Sequence, residues 1–180
     1  MTVAPILYVA IIYFLAALLL VAAAHKILRG QQFRQSLAGY KILPRSWLKP
    51  VSIALALFEA LVGVLLLSGA SVAIAAVAGA VLFFTYGGLL AYALMSGRGN
   101  MGCGCEWGEG PQPIRKWMVV RNLLFTALAL FLASASISVA PTIFDIGNAA
   151  AAALALFLIQ SSLAEIFAIS HRIKLIRLGA

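Results

Sequence analysis

The sequence predicts an all-α integral membrane protein, and three observations carry that prediction. Of 180 residues, 64% are hydrophobic and only 10% are charged, against roughly 25% charged in a soluble domain. Mean hydropathy is +1.07. The apolar residues gather into five stretches, each close to the ~20 residues a helix needs to cross a bilayer. A soluble fold of ~150 residues buries only about 70% of the surface its unfolded chain exposes, too little to hide this much apolar side chain. Disordered chains, disulfide-stapled secreted modules and soluble nucleic-acid binders are excluded by the same composition. The net charge of +8 therefore reads first as a topology signal.

Taken in order, the stretches are Val3 to Ala24, Val51 to Leu67, Val72 to Met95, Met118 to Val139 and Asn148 to Ile169. No Lys or Arg precedes the first, and its apolar run exceeds the core of a signal peptide, so it is expected to remain as a span. The second is the shortest. Ser68-Gly69-Ala70-Ser71 then forms a tight polar turn that makes the second and third helices antiparallel neighbours. Small residues such as Ala75, Gly79, Gly87, Gly88 and the Ala149 to Ala153 run let helix backbones approach closely. Between spans lie a basic segment, 25–50, and a glycine-rich loop, 96–117. In the first of these, Phe33, Leu37 and Tyr40 recur at helical spacing beside Arg34 and Lys41, which predicts an interfacial helix ended by Pro44. A basic loop resting on anionic headgroups is the alternative.

Five spans place the N-terminus, the 68–71 turn and the Pro141 to Gly147 link on one face. All thirteen Lys and Arg then fall on or near the other, as do Trp47, Trp107 and Trp117, while the first face carries only Asp145. The positive-inside rule puts the basic face in the cytoplasm.

The chemistry-bearing residues concentrate on that same side. Cys103 and Cys105, the two cysteines of the chain, stand in a loop with Gly at 99, 102, 104, 108 and 110. Two thiols one residue apart can close a small, strained ring of the exchange-prone kind. Arg115, Lys116, Arg121 and the start of the fourth helix favour thiolate, whereas Glu106 and Glu109 oppose it. Inert thiols, or half of a metal site, are the competing readings. A tetrahedral zinc site needs two further ligands, for which only His25 and His171 offer imidazole, so no metal is expected. Ionisable groups inside a membrane are expensive and default to functional candidates. Glu59 sits eight residues into the second stretch, ~12 Å below the basic face. Glu165, Arg121 with Asn122, and His25-Lys26 share its half of the membrane. A buried Glu without a partner would neutralise, so Glu59 or Glu165 is expected to pair with Arg121, Lys26 or His25.

In order and spacing, His25-Lys26, Phe33, Gly39-Tyr40 to Leu43-Pro44, Glu59 with Gly63, Cys103-Gly104-Cys105 and Arg121-Asn122 resemble the MauE branch of the DoxX-like membrane proteins, over residues 10 to 135. The resemblance implies a four-helix transmembrane bundle, similar in layout to vitamin K epoxide reductase, with a fifth transmembrane helix added. It implies a multi-pass protein of the bacterial cytoplasmic membrane that serves maturation of the disulfide-rich small subunit of methylamine dehydrogenase. A thioredoxin-like, MauD-like protein is the implied partner. Cys103 and Cys105 then become the redox pair, and His25, Lys26, Glu59 and Arg121 its polar surround. Unlike vitamin K epoxide reductases, the chain has no second cysteine pair, so its thiols would meet a quinone or a partner's thiols directly. Maturation of a periplasmic enzyme places the thiols outside, whereas the charge distribution places them inside.

The leading expectation is thus a membrane thiol-disulfide oxidoreductase. Two rivals stand beside it. One is a non-catalytic assembly factor in which the cysteines are dispensable. The other is a bundle that binds a quinone or small molecule, with Tyr92, Trp107 and Trp117 lining the pocket and Glu59 as proton site.

Overall fold

The structure, a computed structural model, describes residues 3–98, 114–136 and 139–177, with side chains described up to Leu163 and at Ile166. The described residues form six α-helices: α1 (Pro5–Leu28), α2 (Gly30–Gly39), α3 (Leu48–Ser68), α4 (Val72–Met95), α5 (Lys116–Ser134) and α6 (Ile143–Arg177). A single 3-10 turn, Arg45–Trp47, leads into α3. All but α2 are long and apolar enough to cross a membrane. The protein is an all-α integral membrane protein.

Local chemistry explains where each helix begins and ends. Pro5 opens α1, where a missing N–H is harmless. That helix runs on past His25-Lys26 to Leu28 because both side chains are buried by the bundle instead of marking its edge. Pro50 falls in the first turn of α3, a place that tolerates proline, so the helix starts ahead of it at Leu48. Its other end is closed by Gly69 at φ +70°, the left-handed cap position that glycine fills without strain. Helix α5 stops at Ser134, and Ala135 is extended. There the Ser134 hydroxyl bonds the Phe131 carbonyl, and the Ser136 carbonyl accepts the N–H of Val3. Helix α6 begins at Ile143 because Thr142 and Asp145 form a reciprocal cap: Thr142 N–H donates to Asp145 Oδ2 at 2.7 Å and Asp145 N–H to Thr142 Oγ1 at 3.2 Å. At 35 residues it is ~52 Å long, well beyond a ~30 Å hydrocarbon core. Its candidate membrane span among the described residues is Ile143–Leu163, and the same helix continues to Arg177.

Helix α1 is the hub. It packs most extensively on α3 and α6, while α4 pairs with α5. Leu15, Leu19, Val62, Leu66, Ala76, Ala80, Phe83, Ala129 and Leu132 fill the core. Phe125 joins it by edge-on contacts with Phe14 and Phe83, at 5.7 and 5.4 Å between ring centres. Small residues set the closest approaches. A Cβ on Gly63 would stand 2.8 Å from Leu20 Cγ and 3.3 Å from the Ala16 carbonyl oxygen, so α1 and α3 touch there almost backbone to backbone. Gly87 plays the same part between α4 and α5, with Asn122 Cβ 3.4 Å from the position of the missing Cβ. Gly88, by contrast, has nothing within 4 Å and lies on the outside of α4. Within the alanine run of α6, Ala149 and Ala153, one turn apart, are buried, and Ala150 to Ala152 point away.

These contacts yield a direct test by thermal unfolding in detergent. Gly63→Val forces a clash with Leu20 and the Ala16 carbonyl and is expected to cost about 1–3 kcal/mol, whereas Gly88→Ala leaves the unfolding temperature no lower than that of the parent protein.

Candidate functional site

The bundle buries one ion pair among the described residues, and it lies deep. Glu59 is eleven residues past the start of α3, roughly 16 Å along the helix, and it is 0% exposed. Lys26, near the end of α1, meets it with Nζ 2.8 Å from both Oε1 and Oε2. Tyr86 of α4 donates its hydroxyl to Glu59 Oε1 at 2.5 Å. Helix direction explains why side chains from such different depths converge. Every Cα–Cβ bond leans toward its helix N-terminus. In the antiparallel pair α1 and α3, Lys26 therefore leans into the bundle and Glu59 leans back up to meet it. Tyr86 leans along α4 toward Glu59 in the same manner.

Two aromatic faces complete the enclosure. The Lys26 ammonium lies 5.1 Å from the ring centre of Phe33 and 5.2 Å from that of Tyr86, within the range of attraction between a cation and a ring quadrupole. Phe33 belongs to α2, so that short helix is a cover on the ion pair, with its Phe33 and Tyr40 turned into the bundle. A charge here is tolerable because each polar atom of the carboxylate accepts a hydrogen bond and the ammonium is bidentate on it. Chemically, the trio can hold one negative and one positive charge side by side, with the Tyr86 hydroxyl donating to the carboxylate.

A second cluster marks the end of the bundle where the chain leaves α4 and returns through α5. Arg98 Nη1 donates to the Tyr40 carbonyl at 2.8 Å. Ile114 is buried in a cluster with Tyr40, Leu90, Ala93 and Met118. Of the two described residues that flank the 99–113 segment, Arg98 thus bonds the Tyr40 backbone and Ile114 joins the buried cluster that holds the Tyr40 side chain. Beyond them, the Arg121 guanidinium stacks on Trp117 at 4.7 Å, and Asn122 Nδ2 donates to the Met118 carbonyl. Arg115 Nη2 is buried with no hydrogen-bond partner among the described residues.

Of the residues singled out by sequence, the structure joins Lys26 and Glu59, and it buries His25, the neighbour of Lys26 in the chain, at 3% exposure. Arg121 stacks with Trp117. Tyr92 is 45% exposed on the outside of α4. Glu165 falls within α6, and its side chain lies outside the described residues, as do Cys103, Cys105 and Trp107 altogether. Sequence reasoning missed Tyr86 and Phe33 as parts of the ion-pair site, and Tyr40 and Arg98 as the base of the loop. Tyr86 is hidden in the apolar run Phe83-Phe84-Thr85-Tyr86. Its signal was a phenol inside a span, a group that needs a hydrogen-bond partner when buried.

A family model described as methylamine utilisation protein MauE matches residues 4–135. The chain belongs to the MauE family. It is also 34% identical over 130 residues to the methylamine utilization protein MauE of Paracoccus denitrificans, a match that covers 72% of this chain and 70% of that relative. No solved structure matches. The family match takes in α1 to α5 with Lys26, Glu59, Tyr86 and the Cys-Gly-Cys segment, and it ends before α6. Like its family, the chain is a membrane protein connected with methylamine utilisation.

The geometry of the ion-pair site predicts a specific cost for one oxygen atom. Tyr86→Phe removes a hydrogen bond to a charged group and is expected to lower unfolding free energy by about 1.5–3 kcal/mol. Thr85→Val, next to it on the outer surface, should stay within about 0.5 kcal/mol. Denaturant titration in mixed micelles measures both.

Proposed function

We propose that this chain carries out thiol-disulfide exchange at the membrane, with Cys103 and Cys105 as the exchanging pair and a thioredoxin-like protein as its partner in methylamine utilisation. One observation supports the reading most: Arg98, which bonds the Tyr40 carbonyl, and Ile114, which is buried in the same cluster as the Tyr40 side chain, flank the glycine-rich segment at a single end of the bundle. The segment between them is therefore tied at its base to the rigid helices. Cations also flank that segment along the chain. Arg98, Arg115 and Lys116 lie beside it in sequence, and positive charge favours the thiolate form that attacks disulfides. The deeper Lys26–Glu59–Tyr86 trio serves this reading by fixing α1, α3 and α4 in register.

In the proposed reaction one thiolate attacks the partner's disulfide, forming a mixed disulfide and releasing one partner thiolate. The second cysteine, after losing its proton, attacks the mixed disulfide. This closes the Cys103–Cys105 bond and frees the second partner thiol. Two electrons pass to the partner in this direction, and the reverse sequence oxidises it.

Trapping tests the proposal. With Cys103→Ser and Cys105→Ser expressed singly beside candidate thioredoxin-like proteins, one variant should accumulate a reducible mixed disulfide on non-reducing gels, while the double variant forms none and loses function. Full methylamine-dependent growth of the double variant would refute thiol exchange and leave an assembly role in which the cysteines are dispensable.

A further inference from the structure

Residues 29–47 connect two membrane spans, α1 ending at Leu28 and α3 beginning at Leu48, so they lie where those helices reach the lipid headgroups. Their inward-facing aromatics are taken up by protein: Phe33 covers Lys26 and Tyr40 sits in a buried cluster. What points outward is the stretch from Lys41 to Lys49. Lys41, Ile42, Arg45, Trp47 and Lys49 are all exposed, Trp47 at 59% and Ile42 at 51%. No Asp or Glu occurs anywhere between Leu28 and Phe58.

The backbone adds an independent observation. Lys41 follows the last turn of α2 at φ +53°, the one left-handed residue other than glycine among those described. That conformation crowds any Cβ against the backbone, and helices that end this way usually place glycine there. A glycine would make the same turn without strain. The chain instead holds a cation at the point that swings it outward into Ile42 and the Arg45–Trp47 turn.

We propose that Lys41, Arg45 and Lys49, with Ile42 and Trp47 between them, form a rim that binds the headgroups of anionic phospholipids. Cationic heads interleaved with an aromatic and an aliphatic side chain match the phosphate level and the acyl boundary just beneath it. An acidic protein surface would satisfy the charges but leave Ile42 and Trp47 in water. The rim makes no use of the cysteines, so it stands apart from the exchange reaction.

Native mass spectrometry of the full chain in detergent, titrated with phosphatidylglycerol or phosphatidylcholine of matched acyl chains, tests the proposal. Phosphatidylglycerol should bind several-fold more tightly, with a preference that shrinks as salt rises. Lys41→Gly should weaken it by about fivefold while leaving phosphatidylcholine binding unchanged. Because glycine relieves the backbone, the unfolding temperature should not fall, and Lys41→Arg should restore lipid preference. The pair Arg45→Gln and Lys49→Gln, which alters no strained position, should reduce the preference further. Equal binding of the two lipids, or undiminished phosphatidylglycerol binding by both the Lys41→Gly and the doubly substituted protein, would overturn the proposal. Tighter binding of poly-glutamate than of phosphatidylglycerol would overturn it too, and would give the rim to an acidic protein.

Discussion

A lysine and a glutamate facing each other inside a hydrophobic bundle constrain everything around them. Neither charge survives there alone, since an isolated ion in a low-dielectric interior costs several kcal/mol even after relaxation. Each therefore requires the other, and the requirement fixes which residues of α1 and α3 lie side by side. The 2.8 Å contacts between Lys26 and Glu59 and the near-contact of Gly63 with Leu20 and Ala16 are two points on one antiparallel seam. Sliding α3 by a turn would break the ion pair and lift Gly63 off its groove at the same time. Tyr86 extends this register to α4, and Gly87, the next residue, seats α5 through Asn122.

The same constraint shapes the basic end of the molecule. Lysines near helix ends ordinarily snorkel toward water. Lys26 instead turns inward, and a hydrophobic cover over it becomes necessary. Helix α2 supplies that cover with Phe33. Ten residues of helix then carry the chain to Tyr40, whose carbonyl holds Arg98 and whose ring packs in the cluster of Ile114 and Met118. A single short helix thus touches both the buried charges and the base of the cysteine-bearing segment.

Much of this organisation was legible in the residues themselves. Five apolar runs of spanning length, the Ser68-Gly69 turn and the confinement of ionisable groups to one half of the chain's spans follow from hydropathy and charge alone. Glu59 needed a cation, and Lys26 was among the few within reach. Other features were not legible, for physical reasons that differ from one to the next. Tyr86 reads as apolar in any hydropathy sum, yet its hydroxyl is the third member of the site. The start of α6 lay in the Thr142-x-x-Asp145 cap, a polar signal that an apolar window passes over. Helix α2 has the periodicity of an interfacial helix, but periodicity says only that one face is apolar, and here protein covers that face at Phe33 and Tyr40. Direction of lean, which brings Lys26 and Glu59 together from different depths, becomes visible only once the helices are known to be antiparallel neighbours.

The measurement that bears most directly on this account is a double-mutant cycle on unfolding free energy in bicelles, using Lys26→Met, Glu59→Gln and the two combined. If the buried pair holds α1 to α3, each single substitution strands a charge and lowers stability by about 3–5 kcal/mol, and the double variant is no less stable than either single. Losses that add to within about 0.5 kcal/mol would show that the two side chains do not depend on each other, and would contradict the account at its foundation.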